Sequence, residues 1–314
     1  ARSAGAAGAG APPRGKNGAK TAKPANQSAA TRLEVPPIDR SPKLFIGGKQ
    51  TRPDGGYSRA IRDGSGTLIG EVGEGNRKDI RNAVAAANAG AGWSRSSAHL
   101  RAQILYYIAE NLATRAEEFV RRIDRMTGTG RGAEELDATI KRLFSYAAWA
   151  DKYDGAVHAV PIRGVALAMN EPIGVIGIAC PNDLPLLGFV SLVAPAIATG
   201  NVVVAIPSEP FPLAATDFYS VLETSDVPDG VINIVTGSRE TLSGVLAEHD
   251  EVDAMWYFGS RDGATTVERA SAANMKRTWV EWTGRDWLSN EQGEGREFLR
   301  RATQVKNIWI PYGE

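Results

Sequence analysis

Residues 174–206 read GVIGIACPNDLPLLGFVSLVAPAIATGNVVVAI. This is an apolar run at 174–179, a Pro/Asn/Asp break, an apolar helical stretch over 185–198, and a second apolar run, VVVAI, at 202–206. The same rhythm continues downstream. A break at PSEP precedes a helical stretch from about Pro212 to Glu223, followed by GVINIV at 230–235. A break at TGSR and a helix to about Ala247 lead to DAMWYF at 253–258, and a break at GSRDG and a helix to about Asn274 lead to TWVEW at 278–282. Short, continuous apolar strands alternating with helices describe a parallel sheet covered on both faces. Right-handed crossovers make that sheet doubly wound and Rossmann-like, an α/β fold whose ligand crevice lies in the loops beyond the strand C-termini. The loops to search are therefore 181–185, 207–210, 236–239 and 259–263.

Upstream of this region, KLFIGG at 43–48 predicts a short strand and a turn. Ile80, Val84 and Ala87 predict a helix over 76–89. Leu100, Ile104, Ile108, Leu112 and Phe119 predict one long helix over 97–127, ended by Gly128 and Gly130. Leu136, Ile140, Leu143 and Ala147 predict another over 132–153. Residues 1–41 are rich in Ala, Gly, Pro, Lys and Ser and read as a disordered linker. Of the first 40 residues seven are basic and two acidic, spread rather than clustered, so a linker is favoured over a basic binding arm. The chain begins with Ala1 and reads as a fragment or a processed product. The sequence thus divides into a linker (1–41), an α/β domain (42–287) and a C-terminal segment (288–314).

Composition narrows the function classes. Thirty-six Lys and Arg balance thirty-six Asp and Glu, so there is no basic excess to hold nucleic acid. A single cysteine, Cys180, and three scattered histidines exclude a disulfide scaffold and a Cys/His zinc site, and no motif supports a carboxylate-bound metal. The longest apolar stretches are too short and Gly-rich to span a bilayer, and no signal peptide opens the chain. The expectation is a cytoplasmic chain with neither membrane nor nucleic acid among its partners.

Each loop has a chemical and a structural reading. Gly259-Ser260 enters a helix whose N–H groups, with Ser260, suit a phosphate; Ser260 equally reads as a helix cap. Ser208 and Glu209 follow a strand end, where a carboxylate accepts ribose hydroxyls or the pair caps the next helix. Glu281 ends the last strand as a general base or as a solvated acid. Cys180, at a strand end with no basic residue beside it in sequence, reads as an inert core thiol.

Taken together, these stretches resemble the aldehyde dehydrogenase superfamily over roughly residues 43–285. Asn170 to Gly177 is similar to the family's "REPIGVVG", Gly200 to Glu209 to "GNTVVLKPSE", and Pro228 to Gly237 to "PPGVLNVVTG". Gly259-Ser260 fits "FTGS", and Glu281 with Gly284 fits "ELGG". Five matches in the family's order are specific. The resemblance implies the family's cofactor domain, with NAD(P) as the cofactor if there is one and Ser208, Glu209 and Ser260 as its contacts.

The departures from the pattern bear on function. The family's "PWNFP" reads Pro181-Asn182-Asp183-Leu184-Pro185, so Asp183 stands where the resemblance implies an asparagine that holds the oxyanion. A carboxylate there repels the charge it would have to stabilise. Ile206 replaces the family's ribose-gripping lysine, and Phe258 replaces the threonine of "FTGS". The resemblance also calls for a cysteine nucleophile beyond the glutamate, yet 33 residues follow Glu281 and none is Cys. Instead, Glu294 to Glu297 and Thr303 to Ile310 resemble the family's C-terminal "GREGG…YTQVKTVWI", an oligomerisation strand. The catalytic subdomain is therefore expected to be missing between roughly Arg285 and Glu294, leaving Glu281 and Asp183 vestigial. Val305, Ile308, Trp309 and Ile310 form an apolar strand edge that seeks a partner or pairs within the chain.

This pattern is most similar to the truncated second domain of the family 16 aldehyde dehydrogenases. It implies a non-catalytic module, with no cofactor of its own, that scaffolds a catalytic aldehyde dehydrogenase domain in cis or joins a homo-oligomer. The alternatives are an NAD(P)-dependent aldehyde oxidoreductase whose activity resides in a parent polypeptide, and a nucleotide-binding regulatory domain. On the sequence alone, removing the chain beyond Asn290 is expected to weaken assembly more than folding.

Overall fold

The structure, a computed structural model, describes residues 42–312. The chain separates into two units, 1–40 and 41–314, and the linker expected over 1–41 falls outside the described residues. In chain order the second unit begins with strands β1 (Leu44–Ile46), β2 (Lys49–Thr51), β3 (Ser58–Arg62) and β4 (Leu68–Gly73). Helices α1 (Arg77–Ala89), α2 (Ala98–Thr114), α3 (Ala116–Thr127) and α4 (Gly132–Trp149) follow. Next come β5 (Ala156–His158), β6 (Gly164–Pro172), β7 (Val175–Ala179), α5 (Pro185–Ala198) and β8 (Val202–Ile206). Then come α6 (Leu213–Asp217), α7 (Tyr219–Glu223), β9 (Ile232–Ile234), α8 (Arg239–Glu248), β10 (Ala254–Phe258), α9 (Arg261–Ser271) and β11 (Arg277–Glu281). The unit closes with α10 (Arg296–Arg301) and β12 (Thr303–Pro311).

The central sheet runs β11-β10-β7-β8-β9-β1-β2. The five strands β7 to β11 are mutually parallel, as the apolar runs predict, and every residue of β7, β8 and β10 is buried. The β1–β2 hairpin adds an antiparallel margin, so the sheet is mixed rather than purely parallel. Helices α1, α8 and α9 cover one face, and α5, backed by α2, α4 and α10, covers the other. Two smaller sheets, β3-β4 and β12-β6-β5, complete the unit. Gly174 makes the tight entry to β7 at φ +134°, where a Cβ would lie 2.2 Å from an Asp253 carboxylate oxygen. That carboxylate accepts the Val175 N–H.

Two predicted helices are broken. The stretch expected as one helix over 97–127 is α2 and α3, separated at Arg115 with φ −105° and ψ 19°. The Arg115 guanidinium returns to Glu118; both helices pack on α4, while α2 also meets α5 and α7 and α3 meets α6. The helix expected over 212–223 likewise splits into α6 and α7 about Phe218. Apolar spacing is blind to a break one residue wide, because the residues on either side keep their buried positions.

The C-terminal segment is built into this unit. Phe298, Leu299 and Ala302 have no exposed surface, and Ala302 O accepts a hydrogen bond from Asn201 Nδ2. Among the described residues no helix is long and apolar enough to cross a membrane.

Candidate functional site

In strand order the chain leaves β7 in one direction, through β8 and β9, and returns to β10 and β11 on its other side. The switch point of the sheet therefore lies between the C-terminal ends of β7 and β10, where an open α/β sheet has its crevice. A cavity of about 280 Å³ opens there, lined by Asn182, Asp183, Arg239, Glu281, Arg285 and Trp287 among others.

Arg239 is the residue sequence reasoning missed. It is the first residue of α8, and its Nη1 donates to Cys180 O at 2.9 Å and Phe258 O at 3.2 Å. One guanidinium thus spans the ends of β7 and β10, across the switch point. Cys180 is not without a basic neighbour, as its sequence surroundings suggest. Its thiol is nonetheless pushed well above the ordinary range by complete burial, which outweighs the field of Arg239. The signal that could have found Arg239 is its place directly after the β9 loop, where a long cation reaches over a strand terminus.

The expected cofactor contacts each have hydrogen-bond partners within the chain. Ser208 is fully buried; its hydroxyl donates to Asn182 Oδ1 at 3.2 Å and accepts the Phe211 N–H. Glu209 does not cap the helix that follows it. Its carboxylate accepts the Arg239 N–H at 2.9 Å, at the start of α8. Ser260 is the N-cap of α9, accepting the Gly263 N–H, while its own N–H donates to the Tyr257 phenol oxygen at 3.2 Å. The phenol packs so closely that a Cβ on Gly263 would meet it at 1.8 Å. Tyr257 thus packs against the first turn of α9, the kind of helix end at which a phosphate can bind. Ile206 is fully buried at the end of β8 and offers no donor. The Phe258 ring is 3% exposed and packs edge-on against Trp279 and Trp287, with centroids at 5.1 and 5.4 Å.

The two acids expected to be vestigial, Asp183 and Glu281, differ in setting. Asp183 is exposed and makes no side-chain hydrogen bond or ion pair among the described residues. Glu281 Oε1 accepts the Thr283 hydroxyl at 2.5 Å and the Thr283 N–H at 3.2 Å. Burial pushes the Glu281 carboxyl up. The two Thr283 hydrogen bonds and the nearby Arg285 outweigh it and hold the group below its ordinary value. A general base is most effective with a pKa near the working pH, and Glu281 is tuned away from it. Arg285 itself stacks on Trp279 and Phe298 and pairs with Glu297 at 3.1 Å. No group of His, Cys, Asp and Glu among the described residues could hold a metal ion.

Behind the crevice, Glu135 of α4 is 1% exposed, and its Oε1 accepts the N–H groups of Leu186 and Leu187 at the start of α5. Burial raises its pKa to about 7, against the partial relief of those two N–H groups and Arg131. Because the folded value lies above the unfolded one, the folded chain holds the extra proton. Stability is therefore greatest below about pH 4.5 to 5 as far as Glu135 is concerned, and is lost as pH rises through about 7. The expected loss is on the order of 3 kcal/mol. Glu135→Gln keeps an oxygen for the two amides and removes the dependence. Urea unfolding should find the variant more stable than the parent at pH 8 and similar to it at pH 5; parallel pH profiles would show that Glu135 ionises normally.

The expected interaction residues lie on β12, which pairs antiparallel with β6 over its whole length, Thr303 with Pro172 through Pro311 with Gly164. The intramolecular alternative thus accounts for one edge of β12. Its other edge is the margin of the three-stranded sheet, with Val305 57%, Trp309 56% and Ile310 49% exposed and Ile308 half-buried.

Comparison with known proteins agrees with this architecture. The model of the aldehyde dehydrogenase family matches residues 52–288. Rat mitochondrial aldehyde dehydrogenase is 32% identical over 282 residues, covering 82% of this chain and 52% of that protein. Rat retinaldehyde dehydrogenase 3 is 34% identical over 256 residues, covering 78% of this chain and 49% of that protein. The crystal structure of betaine aldehyde dehydrogenase from Staphylococcus aureus, in complex with NAD+, superposes with a TM-score of 0.74 at 27% identity, covering 78% of this chain and 50% of that one. The chain spans about half the length of the relatives it matches.

Proposed function

This chain belongs to the aldehyde dehydrogenase family, and from that premise we propose that it is a non-catalytic module of the family that packs against a catalytic aldehyde dehydrogenase domain. The observation that carries the reading is the Arg239 guanidinium, held across the switch point by the carbonyls of Cys180 and Phe258. The chain's own cation lies where a dinucleotide would cross the sheet, and the Tyr257 phenol accepts the Ser260 N–H beside the helix N-terminus that would receive its phosphates. Supporting it, the one thiol is buried and protonated, and the Glu281 carboxyl is held below its ordinary value by Thr283 and Arg285. Without a thiolate there is no covalent adduct from which hydride can leave, and no acyl-enzyme water for Glu281 to activate.

In this reading the module needs no cofactor, and any NAD(P)-dependent oxidation resides in a partner domain, in cis as in the family 16 enzymes or in a homo-oligomer. The free margin of β12, with Val305, Trp309 and Ile310, is the surface that meets the partner, in a cytoplasmic setting. Two measurements on the 314-residue chain test the reading. Calorimetric titration with NAD+ is expected to give no heat at millimolar ligand; a saturable heat would make the chain a nucleotide-binding regulatory domain instead. Aldehyde-dependent NADH formation is expected to be absent, and turnover that disappears in Glu281→Ala would overturn the proposal.

A further inference from the structure

The second edge of the central sheet carries a feature that the crevice does not use. Among the described residues, strand β11 is marginal and pairs only with β10. Arg277 N donates to Asp253 O, and Glu281 O accepts from Gly259 N, so residues 277, 279 and 281 turn their backbone groups toward β10. By the alternation of a strand, Thr278 and Val280 turn their N–H and C=O groups outward, away from the sheet. Natural sheet edges are usually blunted by lysine, proline or brevity. The opposite edge obeys that rule, because β2 has three residues and begins with Lys49. The free positions of β11 are β-branched and uncharged instead.

A groove of about 890 Å³ runs beside this edge, between β11, α10 and the start of β12. Trp256 and Trp279 contribute to its wall, and Arg277, Arg300 and Arg301 line it. Its acid, Glu297, is shared between Arg285 at 3.1 Å and Arg301 at 3.7 Å. Arg277 donates only to a backbone carbonyl, Thr303 O, and Arg300 has no ion-pair partner among the described residues. Both are exposed. The groove therefore carries uncompensated positive charge beside a row of unpaired backbone groups, in a protein of zero net charge.

We propose that the free edge of β11 accepts an extended acidic segment of a partner protein as an added strand, with Arg277, Arg300 and Arg301 holding its carboxylates. In such strand addition the backbone of Thr278 and Val280 supplies the affinity, and the flanking arginines select the charge of the incoming side chains.

The test uses the full chain and a fluorescein-labelled hexapeptide of alternating glutamate and valine, followed by anisotropy. A second peptide has lysine in place of glutamate. The glutamate peptide is expected to bind at least about tenfold more tightly than the lysine peptide, as two or three partly exposed charge pairs provide. Arg277→Glu with Arg300→Glu should invert that preference. Val280→Pro removes an outward N–H without touching a hydrogen bond to β10, and proline is tolerated at such edge positions. It should weaken the glutamate peptide at least about tenfold while far-ultraviolet circular dichroism stays unchanged. Equal affinity for the two peptides, no binding of either, or full binding by a folded Val280→Pro variant would each overturn the proposal.

Discussion

A chain ending at Asn290 should not fold. Such a truncation removes Phe298 and Leu299, both without exposed surface, together with Ala302. Phe298 packs on Trp279, Trp287 and Tyr146, with centroids 5.2, 6.4 and 6.4 Å away, so its loss exposes the centre of an aromatic cluster. It also strips Asn201 Nδ2 of its bond to Ala302 O and Arg277 of its bond to Thr303 O. Deleting one buried phenylalanine and one buried leucine costs about 5–10 kcal/mol together. That is comparable to the whole net stability of a domain, about 5–15 kcal/mol. This reverses the expectation from sequence that the segment matters more for assembly than for folding. A chain ending at Thr303 keeps all of these contacts and loses mainly the exposed part of β12. Urea unfolding followed by tryptophan fluorescence separates the two: the chain ending at Thr303 should retain a cooperative transition, and the chain ending at Asn290 should show none. A cooperative transition in the chain ending at Asn290 would mean that the aromatic cluster is dispensable.

Arg142→Ala is the single substitution expected to destabilise most. Arg142 is 3% exposed on α4 and donates to Ser191 Oγ, Trp287 O and Gly293 O. Its Nε lies 2.9 Å from the Glu294 carboxylate without the alignment of a hydrogen bond. These partners pin the connector between β11 and α10, and with it Trp287, which is 2% exposed against Phe258. Removing the guanidinium leaves two buried carbonyls, a buried hydroxyl and an acid without their cation, a loss of about 3–5 kcal/mol. Arg142→Met, which keeps the bulk of the stem, should recover only the packing part of that loss. Denaturation midpoints of the three proteins measure it. A loss under about 1 kcal/mol for Arg142→Ala would show that the aromatic packing alone holds the connector.

The parallel strands were legible because both of their faces are buried, which leaves an uninterrupted apolar signature at 175–179, 202–206 and 254–258. The loops that could form a site followed from that order alone, and Glu281 and Asp183 both line the cavity found there. What side chains do within the loops was not legible. Glu209 reads as a ribose ligand or as a cap for the next helix, yet it caps α8, thirty residues on. Nothing in its neighbourhood announces a partner brought near by the sheet rather than by the chain.

The buried face of α4 makes the same point. Glu135, Thr139, Arg142 and Tyr146 recur at helical spacing and are all buried, although three of the four are polar or charged residues that would normally face water. The apolar stripe of Leu136, Ile140, Leu143 and Ala147 was readable because burial of hydrocarbon is a local preference, written wherever a helix meets a core.

By itself the sequence determined the strand order's raw material, the class of fold and the family, together with the absence of a cysteine after Glu281. Each of these depends on apolar patterning or on residue identity, which need no partner. Only the tertiary structure decided that Glu135 and Arg142 are buried and that Arg239 lies across the switch point. It also decided that β12 pairs with β6 while, among the described residues, no strand pairs with the outer edge of β11. A buried polar group is stable only when its partners are supplied, and a strand edge is free only when no other strand reaches it. Both conditions are set by residues far away in sequence that folding brings into contact.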